Sequence, residues 1–265
     1  MRPLISDTVD ARAAAPAPWL SDLRARGLEA FQQLPMPTSD EEEWRYVDLD
    51  FDLDDLGLAD EPGESLPDSV YAVDGVGSAQ IIDGSITHIA AADGISILPA
   101  SEADVAALTG AAASALPVDL DRFSAAHHAF GGDGLVIHAP RGVAAAGPVF
   151  VDVQAVTPGT LSLPRIMLVA DPQSDLSVIV VYRSPDGEVF HVIPQLQATV
   201  GDAARLRLTT IQAWGYQTTA IGQQRVVLGR DANLHHGEAG IGASLGRLHF
   251  FVDIDGAGAH SEITG

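Results

Sequence analysis

The chain has 265 residues, 46% of them hydrophobic, enough to bury a sizeable core in one or two domains. Its net charge is −22 and all fourteen basic residues are arginine, so it encodes no clustered cationic surface of the kind that nucleic acid or an anionic membrane requires. The absence of Cys excludes disulfides, thiolate metal ligation and a Cys nucleophile, and the absence of Lys excludes a P-loop, a Schiff-base lysine and a Ser-x-x-Lys site.

Residues 1–15 lack both an apolar h-region and periodicity, so neither a secretory signal nor structure is expected there. No apolar run is long enough to span a bilayer, and the default location is the cytoplasm. Trp19, Leu20, Leu23, Leu28, Phe31 and Leu34 recur at helical spacing until Pro35 and Pro37 stop the helix. Ser39 and Glu42 have capping-box form, predicting a short helix over 41–46 with Trp44 and Tyr46 on different sides. Asp48, Asp50, Asp52 and Asp54 alternate with apolar residues. An EF-hand needs Gly at its sixth position and an acid at its twelfth, where this chain has Leu53 and Ala59, so a half-exposed extended segment is the better reading. Residues 57–70 form an acidic linker rich in Gly and Pro, followed by strand-like runs at 71–74, 79–82 and 86–90. Ser101 and Asp104 again resemble a capping box, predicting a helix to about Ala113. "DRFSAAHHAF" predicts a short helix ended by Gly131-Gly132 in a left-handed cap.

After Gly134 strands dominate. "DPQSDL" from Asp171, "GDAARL" from Gly201, "GRDANL" from Gly229 and "GAGAHS" from Gly256 form a weak repeat, each a turn leading into a strand. A strand-only repeat of this length predicts a β-solenoid, with a sandwich as the alternative. The fold class is therefore mostly β: a right-handed parallel β-helix over 132–265, preceded by an α-helical and mixed region over 1–131.

Several residues are candidates for chemistry. "GASLG" matches Gly-x-Ser-x-Gly around Ser244, but the nucleophile elbow needs a following helix and a strand, "RLHFFVDID", follows instead. Neighbours on a strand point to opposite faces, so the adjacent pairs His127-His128 and His235-His236 are poor chelators. His138, His191 and His249 lie singly in strand runs. "GVGSAQ" from Gly75 begins like a dinucleotide loop but has Gln80 at the third glycine position. No catalytic, cofactor or metal residue is assigned.

Three stretches together resemble the SufB/SufD family of iron–sulfur cluster assembly scaffolds, on the SufD side. They are "GLEAFQQLPMPTSDEEEWRYVDL"; "AAHHAFGGDGLVIHAPRGVAAAGPVFV"; and "RIMLVADPQSDLSVIV" with the series from "GRDANL" to Gly265. The resemblance implies a right-handed parallel β-helix and a non-enzymatic scaffold that pairs with a SufB-like paralogue and a SufC-like ABC ATPase. It also implies a transient iron–sulfur cluster on the SufB–SufD pair, with no cofactor bound by this chain alone. The lack of Cys fits the SufD side. The family continues past the position of Gly265 into further coils and helices that carry the ATPase dock and the His implicated in assembly. The chain is therefore expected to be incomplete at its C-terminal end, and neither His260 nor another His inherits that role. The competing class is a solenoid hydrolase or lyase acting on polysaccharide or ester through Ser244 or clustered acids.

Overall fold

The computed structural model describes residues 2–4, 18–90, 94–104, 109 and 115–265, with strands at 44% and helix at 14%. Strand β1 (Arg2–Pro3) pairs antiparallel with β2 (Gly57–Leu58), and Leu4 is buried beside them, so residues 2–4 are ordered where the sequence suggested disorder. Burial of one large apolar side chain is what fixes this short stretch. Residues 5–15 lie outside the described residues.

Helix α1 (Pro18–Gln33) forms where the spacing predicts, with Pro18 at a first-turn position that needs no amide donor. It packs on α2 (Arg122–Phe130), which Asp121 caps by accepting the Ser124 amide at 2.7 Å. The approach is close: a Cβ at Gly27 would lie 2.7 Å from the Cβ of His128. Phe31 meets Phe130 edge-on at 5.1 Å. The end of α2 differs from expectation, because Gly131 has φ −60° and is not left-handed. The chain leaves α2 extended, to feed the first buried strand of the solenoid.

Neither expected capping box forms. Glu42–Trp44 is a single 3-10 turn, and the Glu41 carboxylate, not Ser39, holds the Thr38 amide. At 100–102 there is another 3-10 turn; the Ser101 amide and hydroxyl both donate to Asp133. At Thr38 the partner is the near neighbour Glu41, one position before the expected Glu42; at Ser101 it is Asp133, 32 residues away. Beyond Asp104, the expected helix lies outside the described residues except at Thr109, which is helical. Residues 48–55 are extended with a 3-10 turn at Leu53–Asp55, where Leu53 is fully buried.

The acidic segment is no free linker. The Gly63 amide donates to Asp83 (3.0 Å), the Leu66 amide to Gln154 (2.8 Å), and Arg183 donates to the Pro67 carbonyl, strapping 63–67 to the sheet. Residues 71–74 are turn and coil where a strand was expected; the first long strand is β3 (Gly77–Ile82), followed by β4 (Ser85–Ala90) and β5 (Ser96–Pro99).

From β6 (Leu135–Ala139) the chain winds as a β-solenoid of about five turns. Strands β3, β7 (Val149–Gln154), β10 (Asp175–Arg183), β13 (Arg205–Trp214), β15 (Asn233–Gly242) and β17 (His260–Thr264) stack in parallel as one face. Strands β6, β9 (Arg165–Ala170), β12 (Gln195–Val200), β14 (Thr218–Leu228) and β16 (Leu245–Ile254) stack in parallel as the other. Short β8 (Leu161–Ser162) and β11 (Phe190–Val192) extend that face, separated from β9 and β12 by Pro164 and Pro194; in the next coil Ile221-Gly222 lets β14 run through unbroken. Parallel pairing between successive coils excludes the sandwich, whose neighbouring strands are antiparallel. At the other end, β4 and β5 pair antiparallel with β3 and β6 and close that edge of the stack.

The repeat seen in the sequence is one corner of the solenoid. Gly142, Gln173, Ala203, Asp231 and Gly258 occupy equivalent positions of successive coils, each at φ between 54° and 72° or, for Gly258, 77°. The amides of Gly142, Gln173, Ala203 and Asp231 each donate to a carbonyl of the next corner. This stacked hydrogen bonding holds even non-glycine residues left-handed.

Candidate functional site

Alternate residues of each strand point into the lumen, and the pairing register lines them up in ladders. One ladder reads Ala79, Val151, Val180, Thr210, Glu238. Beside it run Val149, Val178, Leu208, His236 and Ile81, Val153, Tyr182, Gln212. On the facing sheet Ile166, Leu196, Gln224 and Phe250 stack. All four ladders are apolar, or aromatic, in the early coils and turn polar in the coils of β13 to β15. An apolar core needs no such change for stability, because burying polar groups costs free energy unless each is paired. The cluster Thr210, Gln212, Gln224, His236 and Glu238 is therefore the candidate site.

Its centre is the Glu238 carboxylate. Thr210 Oγ1 donates to Oε2, Gln212 Nε2 donates to Oε1 at 2.6 Å, and Gln224 Nε2 lies 3.5 Å from Oε2. His236 Nε2 stands 3.5 Å from Oε2 and 3.1 Å from Thr210 Oγ1. Trp214 Nε1 donates to Gln212 Oε1 at 3.1 Å, extending the chain of hydrogen bonds. Phe250 lies against the His236 ring, centroids 4.8 Å apart. His236 Nδ1 and Gln224 Oε1 are buried without a hydrogen-bond partner. Burial, and secondarily the Glu238 charge, push the Tyr182 phenol up, so it remains a neutral wall. Glu238, Gln212 and Trp214 also line a cavity of about 180 Å³ bordered by Gly240–Ala243 and Gly246–Leu248.

The residues singled out from the sequence are dispersed. Ser244 follows left-handed Gly242 and Ala243 in a turn between β15 and β16; its hydroxyl donates to the Thr218 carbonyl at 3.0 Å and its amide to the same oxygen at 2.8 Å. Asp50, His191 and Ser244 do line one groove of about 380 Å³, yet the hydroxyl hydrogen is committed to a backbone acceptor. Phe51 stacks on His191 at 4.6 Å, and burial, opposed by Asp50, lowers the His191 pKa. Gly75 packs on the Pro148 carbonyl and leads straight into β3, so no phosphate-cradling helix follows.

His127 and His128 lie on α2, not on a strand, and both are buried. Their Nε2 atoms face the carbonyls of Pro164 and Leu116, each at 3.0 Å, which assigns the proton to Nε2. Each Nδ1 is then an acceptor, and Arg165 Nη2 approaches both, at 3.1 and 3.5 Å. Arg165 is fully buried, and burial lowers its pKa to about 10. Two neutral imidazoles and the His127 carbonyl thus solvate a guanidinium at the junction of helix and solenoid.

His138 pairs with Asp171 (3.0 Å), His249 approaches Glu43 (3.6 Å), and His235 meets Glu262 (3.2 Å) on the outer face. Among the described residues, no three His, Asp or Glu side chains stand as a group around one point. Trp44 is buried between Phe123 (5.2 Å) and the Arg247 guanidinium (4.1 Å), whereas Tyr46 is 91% exposed. The aromatic cluster near the N-terminus is thus half packing device, half surface.

The sequence reading missed Thr210, Gln212, Gln224 and Glu238. The available signal was a polar residue at an inward phase: "RLRLTTIQAW" alternates Leu206, Leu208, Thr210, Gln212, Trp214 on its buried side.

Residues 153–265 match the family model described as SUF system FeS cluster assembly, SufBD core domain. The match covers less than half of the chain and supports a likeness to the SufB/SufD family. No curated protein sequence matches the chain.

Proposed function

We propose that the chain is a SufD-type, non-catalytic scaffold subunit that works in the cytoplasm with a SufB-like paralogue and a SufC-like ABC ATPase. The observation that carries this reading is that the matched segment, which begins at the end of β7, takes in the stacked strands from β8 to β17. The order of the N-terminal and β-helix-entry motifs supports it, and the absence of Cys favours the SufD side. The nascent cluster is cargo here. A chain without thiolates cannot hold such a cluster by sulfur, so the thiolates belong to the partner. What this chain supplies is a stiff platform: parallel ladders in register fix outward side chains at regular spacing and resist shear. Among the described residues no helix is long and apolar enough to cross a membrane, which agrees with this reading.

The test is co-expression of the tagged chain with the SufB-like and SufC-like proteins of the same genome, then pull-down and size-exclusion chromatography. Co-elution with the SufB-like protein is the expected result. A chain folded by circular dichroism that recovers neither protein, alone or with its reading frame extended past Gly265, refutes the pairing.

A further inference from the structure

From the lumen geometry we infer that His236, Glu238 and Thr210 form a binding site for a divalent first-row transition-metal ion inside the solenoid. The inference rests on these side chains alone and stands whether or not the chain pairs as proposed above.

Three donor atoms surround one point. His236 Nε2 is 3.1 Å from Thr210 Oγ1 and 3.5 Å from Glu238 Oε2, and the two oxygens are hydrogen-bonded to each other. An ion held at about 2.1 Å separates its ligand atoms by about 3.0 to 3.4 Å; the two edges from His236 Nε2 are of that size, and an ion would take the place of the Thr210–Glu238 hydrogen bond by drawing those two oxygens apart. Gln224 adds a fourth donor. Its Oε1 is buried without a partner, and its Nε2 lies 3.5 Å from the same Glu238 oxygen; rotating the amide plane by half a turn aims Oε1 at the triangle.

Charge points the same way. Beside Glu238 stands the His236 imidazole, its Nε2 at 3.5 Å, and the chain has no lysine to offer. Its other partners, Thr210, Gln212 and Gln224, are neutral donors. A carboxylate inside a largely apolar lumen calls for a cation, and the imidazole nitrogen beside it is a transition-metal donor. One nitrogen and two or three oxygens suit zinc, iron(II), cobalt(II) or manganese(II) better than magnesium. The Phe250 ring fixes the imidazole plane, and Gln212, itself held by Trp214, fixes the second carboxylate oxygen. The cavity lined by Glu238, Gln212 and Trp214 supplies a route for an ion and room for a water in an open coordination position.

The probe is Co²⁺, titrated into the purified full chain in excess Mg²⁺, which occupies the many surface carboxylates. Saturable visible d–d absorption with a stoichiometry of one is expected, accompanied by a rise in melting temperature. His236→Leu, which continues the ladder from Leu208, and Glu238→Gln, which keeps the side chain's shape, should each weaken Co²⁺ binding by more than about tenfold. Thr210→Val keeps the volume and should weaken it by a smaller factor, so the inference remains testable if either other variant fails to fold. His235→Ala, one residue away on the outer face, should leave the spectrum unchanged. Absence of a saturable band in the wild-type chain overturns the inference. So does a band lost with His235 or His260 but kept in His236→Leu and Glu238→Gln, which would place the ion on the outer face.

Discussion

Acidification should loosen the α2–solenoid junction, and His128 sets the size of the effect. Burial, then the Arg165 charge, lowers the His128 pKa from 6.5 to about 3, and the same two causes hold His127 well below its ordinary value. A lowered pKa means that the unfolded chain binds the proton more readily, so stability is fully present above about pH 6.5 and declines as pH falls toward the folded value. Each pH unit inside that window costs about 1.4 kcal/mol per histidine, and the full His128 shift corresponds to about 5 kcal/mol. Between about pH 7.5 and 5, before most carboxylates titrate, His128 alone removes about 2 kcal/mol and His127 acts in the same direction. The assay is urea denaturation at both pH values for the wild type and for His128→Asn, which keeps a donor for the Leu116 carbonyl. The quantity to compare is the loss on acidification, not absolute stability. Asp121, which burial pushes up, contributes with the opposite sign in both proteins and cancels. The variant should lose about 2 kcal/mol less than the wild type. An equal loss in the two proteins would refute the assignment of neutral imidazoles around Arg165.

Three other outcomes follow from the packing. Trp44→Ala should destabilise the chain by about 3 to 5 kcal/mol in a thermal or urea melt, because it empties the space between Phe123 and Arg247, whereas Tyr46→Ala should stay within about 0.5 kcal/mol. Gly142 and Gly242 are both left-handed, but an added Cβ meets nothing within 4 Å at Gly142 and the Trp214 carbonyl at 2.0 Å at Gly242. Gly142→Ala should therefore cost about 1 kcal/mol and Gly242→Ala several times that, read by the same melts. A serine-directed fluorophosphonate should leave Ser244 unlabelled by peptide mass spectrometry, since its hydroxyl hydrogen is held by the Thr218 carbonyl; a stoichiometric adduct would revive the hydrolase reading.

Local chemistry alone determined α1, α2 and nearly every strand after Gly134, because helical spacing and two-residue alternation act within one element. The corner repeat was legible too, from turn residues that recur once per coil. The tertiary structure decided what depends on a partner far along the chain. Asp133, not the expected cap, took the hydrogen bonds at Ser101. The acidic segment became a strap because Asp83, Gln154 and Arg183 reach it. Trp44 turned inward and Tyr46 outward only because Phe123 and Arg247 lie on one side. The lumen site is the strongest case. Thr210, Gln224, His236 and Glu238 come from three strands, and they meet only because parallel stacking in register sets residue 210 against 238 and 196 against 224. A polar residue in one strand is an ordinary exposed residue or a lumen ligand depending on its phase relative to the coil above, and that phase is a property of the stack.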